Sequence, residues 1–321
     1  MSERADLLVV GNSMRYCAAS AVRAGLRVVA VDAYGDSDTR ACARRFVRAR
    51  GSGAEALADA ALGVADAPRR LMYGAGFDGR ADQVRRLAAG FEIVGNGAGA
   101  AEAVACPQRL FGLLRTLGIA FPPVSHVPPA SLTGWLVKRL ASSGGLGVRA
   151  ATEADPELSP DAYFQRRVRG EPVSALFAAD GRSVRILGYS RLRTRALRGA
   201  PFAYAGAVAW PAPPAGLRRA AMTYAQRLTR ALGLRGVNGI DLLVPADRPA
   251  RPAGSAREPL LLELNMRRRP RWSCTRGFPA GAGCRRISSL VPVCCAAPIP
   301  RLLRPAQRRS AACACSTRSK R

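Results

Sequence analysis

The 321-residue chain has one histidine, His126, two lysines, Lys138 and Lys320, and an aromatic fraction of 6%. No stretch reaches the ~18 consecutive apolar residues that a membrane-spanning helix requires, and acidic residues precede the first short apolar run where a secretory leader would carry basic ones. The chain therefore reads as soluble and cytoplasmic, with no membrane partner. A dinucleotide fingerprint is also missing: Gly11-Asn12-Ser13 is not the Gly-x-Gly-x-x-Gly turn, and Asp32 at the end of a second strand is too common a feature to replace it. The first 265 residues offer no aromatic-plus-basic platform on which nucleic-acid bases could stack.

Charge of one sign is absent from a whole segment. From Met266 to Arg321 there are fourteen Arg and Lys and no Asp or Glu, half of the net charge of +28. The same segment holds Cys274, Cys284, Cys294, Cys295, Cys313 and Cys315, against three cysteines upstream. Its CC and CxC pairs lack a second CxxC or a nearby histidine, so they fit no zinc pattern, and a disulfide framework needs a secretory context. With neither helical periodicity nor strand alternation, residues 266–321 read as a disordered or non-native tail. One source is a shift of reading frame near Asn265 to Met266. Across Arg271 to Thr275, around the single-codon Trp272, another frame gives an apolar residue, Glu, Leu and then Tyr or His if Ser273 is encoded AGC. The other source is a genuine basic tail that binds nucleic acid non-specifically or a membrane surface.

The 48% hydrophobic fraction suffices for buried cores and the length suits about two domains. Residues 6–11 and 26–32 read as buried strands flanking an Ala-rich helix, a βαβ opening, with further strands at 70–74 and 91–96 and a helix at 82–89 between them. Residues 1–105 are thus expected to form a small doubly wound α/β domain, and 106–265 an α+β domain. In the latter, Trp135 to Lys138 is a strand entering the glycine-rich loop Ser142 to Gly147. Tyr163 to Val168 is a strand broken by Arg169-Gly170-Glu171-Pro172. Asp180-Gly181 is a hairpin turn between strands 173–178 and 184–190. A helix follows at 217–232, and the last strands are 240–244 and 260–264.

Lys138 is the only lysine before the tail in a chain that otherwise uses Arg. At a strand end beside a glycine loop, a compact ammonium can meet phosphate oxygens while loop N–H groups cover them; the alternative is a surface strand and an ordinary loop. Asp241, Glu263 and Asn265 make a stronger set. Side chains alternate along a strand, so Glu263 and Asn265 share a face, and Asp241 lies on an expected neighbour. Two carboxylates and an amide oxygen are hard ligands suited to Mg²⁺, and Asp241 sits in the apolar run 237–244, where an unpaired charge is costly.

These features resemble the ATP-grasp superfamily over residues 5–265: a leading α/β domain, a strand Lys with a glycine lid, a hinge strand followed by Gly-x-Pro with a Glu, then an Asp, then Glu-x-Asn. The chain is similar in particular to predicted ATP-dependent carboligases related to the carbamoyl-phosphate synthase large subunit, some associated with tetrahydromethanopterin-linked one-carbon metabolism. Four segments carry that likeness: Tyr73 to Phe77, Val168 to Ser174, Phe202 to Ala207 and Gly236 to Asp241. The resemblance implies ATP and Mg²⁺ (or Mn²⁺) as cofactors. Lys138 would hold the α/β-phosphates and Ser142, Ser143, Gly144 and Gly145 would close over them. Gln165, Arg166, Arg167 and Val168 would meet adenine through backbone groups, Glu171 would bond the ribose, and Asp241, Glu263 and Asn265 would bind the metal. It also implies a small-molecule carboxylate, activated as an acylphosphate and captured by an amine or similar nucleophile, chemistry that requires no catalytic His or Cys. Arg193, with Arg191 and Arg195 in the same strand, is the candidate to assist Lys138 by holding an anionic substrate, against the reading of a solvated basic strand. Where the family continues Asn-Pro-Arg-Pro, this chain has Met266-Arg267-Arg268-Arg269-Pro270. That departure leaves an inactive nucleotide-binding relic as the alternative to an active ligase, and a basic nucleic-acid binder as a third reading.

Overall fold

A computed structural model describes residues 4–139, 142, 144–152, 158, 160, 162–246 and 258–266. Ser143, most of the Pro/Arg loop 246–258 and the tail from Arg267 onward lie outside the described residues. No helix among the described residues is long and apolar enough to cross a membrane.

The chain opens with β1 (Leu7–Gly11), α1 (Arg15–Arg23), β2 (Val28–Asp32), α2 (Ser37–Cys42), β3 (Arg45–Arg48), α3 (Ala54–Leu62), β4 (Arg70–Tyr73), α4 (Ala81–Gly90) and β5 (Glu92–Ile93). The five strands form one parallel sheet in the order β3-β2-β1-β4-β5. β1 and β2 are buried at every position because both faces of the sheet are covered. Leu8, Val10, Val29 and Val31 point into a core shared with Leu57 of α3 and with Val84 and Leu87 of α4. Leu7, Val9, Val28 and Ala30 point the other way, onto Ala18 and Ala21 of α1. The strand expected over 91–96 is only two residues long, since at Gly95 φ reaches +138° and turns the chain out of the sheet.

α5 (Ala98–Ala105) and α6 (Pro107–Thr116) follow, the second started by a proline whose missing N–H costs nothing in a first helical turn. Next come β6 (Val124–Ser125), β7 (Trp135–Arg139), β8 (Val148–Ala150) and β9 (Ala162–Arg166), which make an antiparallel sheet in the order β6-β9-β7-β8. A second antiparallel sheet, ordered β12-β11-β10-β13-β14, is built from β10 (Gly170–Asp180), β11 (Val184–Leu197), β12 (Ala200–Ala209), β13 (Arg235–Pro245) and β14 (Leu260–Asn265). The β10–β11 hairpin is set by Asp180, whose Oδ1 accepts the N–H groups of Arg182 (2.9 Å) and Ser183 (2.6 Å), and by Gly181 at φ +93°. α7 (Ala215–Leu232) lays Leu217, Ala221, Tyr224, Ala225 and Leu228, spaced as one helical stripe, on this sheet and ends at Gly233 in the left-handed region.

The break expected at Arg169 to Pro172 falls earlier, at Arg167 to Arg169. Gly170, Glu171 and Pro172 belong to β10, opposite Pro245, Val244 and Leu243 of β13. Pairing with β11 starts only at Val173, so Pro172 has a neighbour on one side only, where a proline is tolerated.

Candidate functional site

Lys138 ends the buried part of β7, and its register partner on β9 is Tyr163. Gln165, two residues on, is the diagonal neighbour, within reach of a long side chain. The Lys138 Nζ donates to Gln165 Oε1 at 3.2 Å and lies 5.8 Å from the centroid of the Tyr163 ring. The ammonium is thus held by a neutral amide and an aromatic face. Gln165 is 3% exposed, and its Nε2 has no hydrogen-bond partner among the described residues.

The turn joining β7 to β8 carries Ser142, Gly144, Gly145 and Gly147. Gly144 and Gly145 take φ of +69° and +74°, values that only glycine adopts without strain. The turn is pinned across the cleft, Tyr204 N donating to Gly144 O at 2.8 Å, so closely that a Cβ on Gly145 would collide with the carbonyl oxygen of Phe202. Local sequence thus makes a glycine turn, and the other sheet fixes where it sits.

Opposite, Asp241 of β13 is paired directly with Glu263 of β14, and Gly239 with Asn265. Asp241 is 5% and Asn265 6% exposed, and the Asn265 Nδ2 has no partner among the described residues. A buried amide left without a partner costs about 1–3 kcal/mol, which a bound polar ligand relieves.

One cavity of about 750 Å³ joins these elements. Lys138, Gln165, Ser142, Gly144 and Gly145 line one wall, Asp241, Glu263 and Asn265 another, and the Arg166 to Gly170 connection runs between the two sheets. The backbone N–H groups of Arg166 and Arg167 already donate to Pro123 O and Gly134 O, both at 2.8 Å, so a base meeting this segment does not take those two donors. Arg166 and Arg167 instead lay their guanidinium groups over Trp135 and Phe202, at 5.9 and 5.7 Å from the ring centroids.

Of the residues singled out in the sequence, Arg191, Arg193 and Arg195 of β11 and Glu171 of β10 are not in the lining. Leu192 and Thr194 face the cavity, and Arg193, between them on β11, is exposed, as strand alternation requires. Glu171 also lies outside; its carboxylate is 3.1 Å from Arg191 Nε, and that guanidinium stacks 4.2 Å from the Trp210 ring centroid. Both partners are roughly two-fifths exposed, so the pair adds little stability. Conversely, the lining includes Tyr73 at the end of β4 and Phe77, Asp78 and Gly79 from the loop after it, at the carboxyl edge of the parallel sheet. The sequence signal for them was a strand running into glycines, where open α/β sheets bind ligands. Asp32 is fully buried and accepts from Met14 N (2.7 Å), Gly35 N (2.8 Å) and Thr39 Oγ1 (3.4 Å), so it holds its own loops together.

The donor set fits a hard divalent cation carried on phosphates. Among the described residues no group of three or more His, Cys, Asp and Glu is clustered as a closed metal site. Two carboxylates and an amide oxygen leave most of an oxygen shell to be completed by a ligand, the way Mg²⁺ is usually held.

An α/β domain followed by two antiparallel sheets that enclose a cleft, with a glycine turn on one side and paired acids on the other, defines the architecture. The model of the ATP-grasp domain matches residues 109–269, half of the chain, and the chain belongs to this family. Solved structures agree on the fold. N5-carboxyaminoimidazole synthetase from Staphylococcus aureus is 14% identical with a TM-score of 0.63, covering 83% of this chain and 71% of its own. A biotin carboxylase from Campylobacter jejuni, solved as its β,γ-ATP complex, is 17% identical (TM-score 0.61; 84% and 66%). The biotin carboxylase domain of 2-oxoglutarate carboxylase from Hydrogenobacter thermophilus, solved with MgADP, ADP and bicarbonate, is 14% identical (TM-score 0.64; 84% and 65%). No curated protein matches the chain.

Proposed function

We propose that this protein is an ADP-forming ligase that uses ATP to activate a small-molecule carboxylate for attack by an amine or similar nucleophile. The observation that carries the reading is the convergence of Lys138, Gln165, Asp241, Glu263 and Asn265, drawn from four strands of two sheets, on one cavity. Lys138 meets the phosphates, with the turn of Ser142, Gly144 and Gly145 covering the chain of oxygens. Asp241, Glu263 and Asn265 hold the divalent cation, which when bound neutralises phosphate charge. The segment Gln165 to Val168 borders the base, and Tyr163, Leu136 and Val148 offer it apolar surface.

In the reaction, a carboxylate oxygen of the substrate bonds to the γ-phosphorus as the bond to the β-phosphate oxygen breaks and ADP leaves. The nucleophile then adds to the acyl carbon, inorganic phosphate departs, and a proton is released. The chain positions and neutralises, with no side-chain nucleophile. Three acids among the described residues line the cavity. Asp241 and Glu263 sit at the cation end, and Asp78 stands beside Tyr73 and Phe77 at the edge of the first domain, where a cationic amine would be favoured. Within the family, the motifs at 73–77, 168–174, 202–207 and 236–241 favour the carboligase group related to the carbamoyl-phosphate synthase large subunit.

The test is ADP release from the full chain, with a panel of carboxylates and amines, with and without Mg²⁺. Formation that needs both the cation and an acid supports the ligase. Nucleotide binding without turnover under any condition points to a relic, and no Mg²⁺-dependent ATP binding at all refutes the reading.

A further inference from the structure

Behind the lining residues Tyr73 and Met266, two buried asparagines join elements far apart in sequence. Asn96 follows β5 in the first domain and is 2% exposed; Asn238 lies in β13 and is fully buried. Asn96 Nδ2 donates to Asn238 Oδ1 and to the backbone carbonyl of Met266, each at 2.7 Å, while its Oδ1 accepts the Arg235 N–H at 2.9 Å. Asn238 Nδ2 donates to the Arg235 and Gly236 carbonyls, at 3.3 and 3.2 Å. Each amide uses its oxygen and both its hydrogens, and turning Asn96 over would set its oxygen against two other oxygens, so the network fixes its orientation. The Asn96 carbonyl, in turn, accepts Tyr73 Oη at 3.0 Å, and Tyr73 is part of the cavity wall.

Met266 is the residue after Asn265, and its side chain packs against both the first-domain core and the core beneath α7. Asn96 therefore grips the exit of β14 and the entry of β13, the two strands that present Asn265, Glu263 and Asp241, while its backbone grips the opposite wall. A half-satisfied buried network is costly, so this one has a single arrangement.

We propose that Asn96 is a positioning residue for the cation end of the nucleotide site: through the Met266 carbonyl it sets where Asn265 and Glu263 present their oxygens, and it couples that edge to the Tyr73 wall. The inference rests on the nucleotide reading above. Asn96 touches neither nucleotide nor metal; it acts through β14.

The experiment titrates the full chain with Mn²⁺ in the presence of a non-hydrolysable ATP analogue, read by electron paramagnetic resonance, beside metal-free binding of the same analogue. Asn96→Ala is expected to weaken Mn²⁺ binding about tenfold and leave metal-free nucleotide affinity within about twofold, since of the three bonds lost the one neutral bond to the Met266 carbonyl acts on the metal-bearing edge. Asn96→Ser keeps one O–H donor and a smaller void; it is expected between Ala and the parent, and carries the test if Asn96→Ala does not fold. Equal Mn²⁺ affinity in parent and variant, whatever the change in melting temperature, overturns the proposal, and so does a parallel loss of both affinities. If the parent binds no Mn²⁺-nucleotide, the nucleotide reading itself fails, and the inference with it.

Discussion

Replacing Lys138 by Met tests the phosphate contact and separates it from the lysine's structural bond. The substitution keeps the length and apolar stem of the side chain and removes its charge. A hydrogen bond to a charged group contributes about 1.5–3 kcal/mol, so ATP affinity should fall about ten- to hundredfold. The same change strips Gln165 Oε1 of its 3.2 Å donor in a residue that is 3% exposed and whose Nε2 is already without a partner among the described residues. That unmet acceptor costs about 1–3 kcal/mol, or about 2–4 °C of melting temperature per kcal/mol for a domain of this size. Replacing both ends by apolar groups, Lys138→Met with Gln165→Leu, should recover most of the stability and none of the ATP affinity, since a buried bond exchanged for two apolar groups is nearly neutral. Binding is measured by calorimetry for ATP and for adenosine, with melting followed by circular dichroism. Adenosine affinity should stay within about twofold in Lys138→Met, as it carries no phosphate to lose a contact. An ATP affinity that changes as little as that of adenosine, in a folded variant, refutes the role given to Lys138.

Other expectations follow from single contacts. Gly145→Ala places a β-carbon where φ is +74° and the Phe202 carbonyl already stands; left-handed strain of about 1–2 kcal/mol plus the collision should lift the turn off β12, seen as faster amide exchange at Tyr204 and weaker ATP binding with little change in adenosine binding. Tyr224, whose phenol pKa burial pushes up, accepts the Ala120 N–H at 3.3 Å and has Glu258 Oε1 and Pro259 O at 3.0 and 3.1 Å; Tyr224→Phe should cost about 1–3 kcal/mol by denaturant titration, and an unchanged midpoint would contradict this. The Arg27 guanidinium and N–H hold the Asp6 carboxyl down at about 2 from 3.8. A depressed carboxyl stabilises the fold above its unfolded pKa, and that share is lost as pH falls from about 4 through 2. Acid unfolding curves of the parent and Asp6→Asn should therefore differ near neutrality and converge below about pH 2.

Much of the architecture was legible because it is local. Continuous apolar runs at 7–10 and 28–31 announced strands covered on both faces, and Asp180-Gly181 announced a hairpin. Alternation put Glu263 and Asn265 on one face of β14, and the β13–β14 register then sets Asp241 against Glu263. Two strands were not legible: β3 is four residues long with Arg at each end, and half of the ten residues of β12 are Ala, so neither carries a strong strand signal. The site divided in the same way. Lys138 and the glycine turn stand out as residue types, whereas Glu171 and Arg193 stand out by motif and by charge, and the strands that carry them turn both away from the cavity.

By itself the sequence determined the inventory: a lone body lysine, a glycine turn, acids set in apolar strands, and the periodicities that make one parallel and two antiparallel sheets. Those properties are short-range, since side-chain alternation and left-handed turns are decided within a few residues. Only the tertiary structure decided which of these groups meet. Asn96 and Met266 lie 170 residues apart, and Lys138 reaches Gln165 across a strand pair; such contacts depend on register and domain docking, which no local pattern encodes.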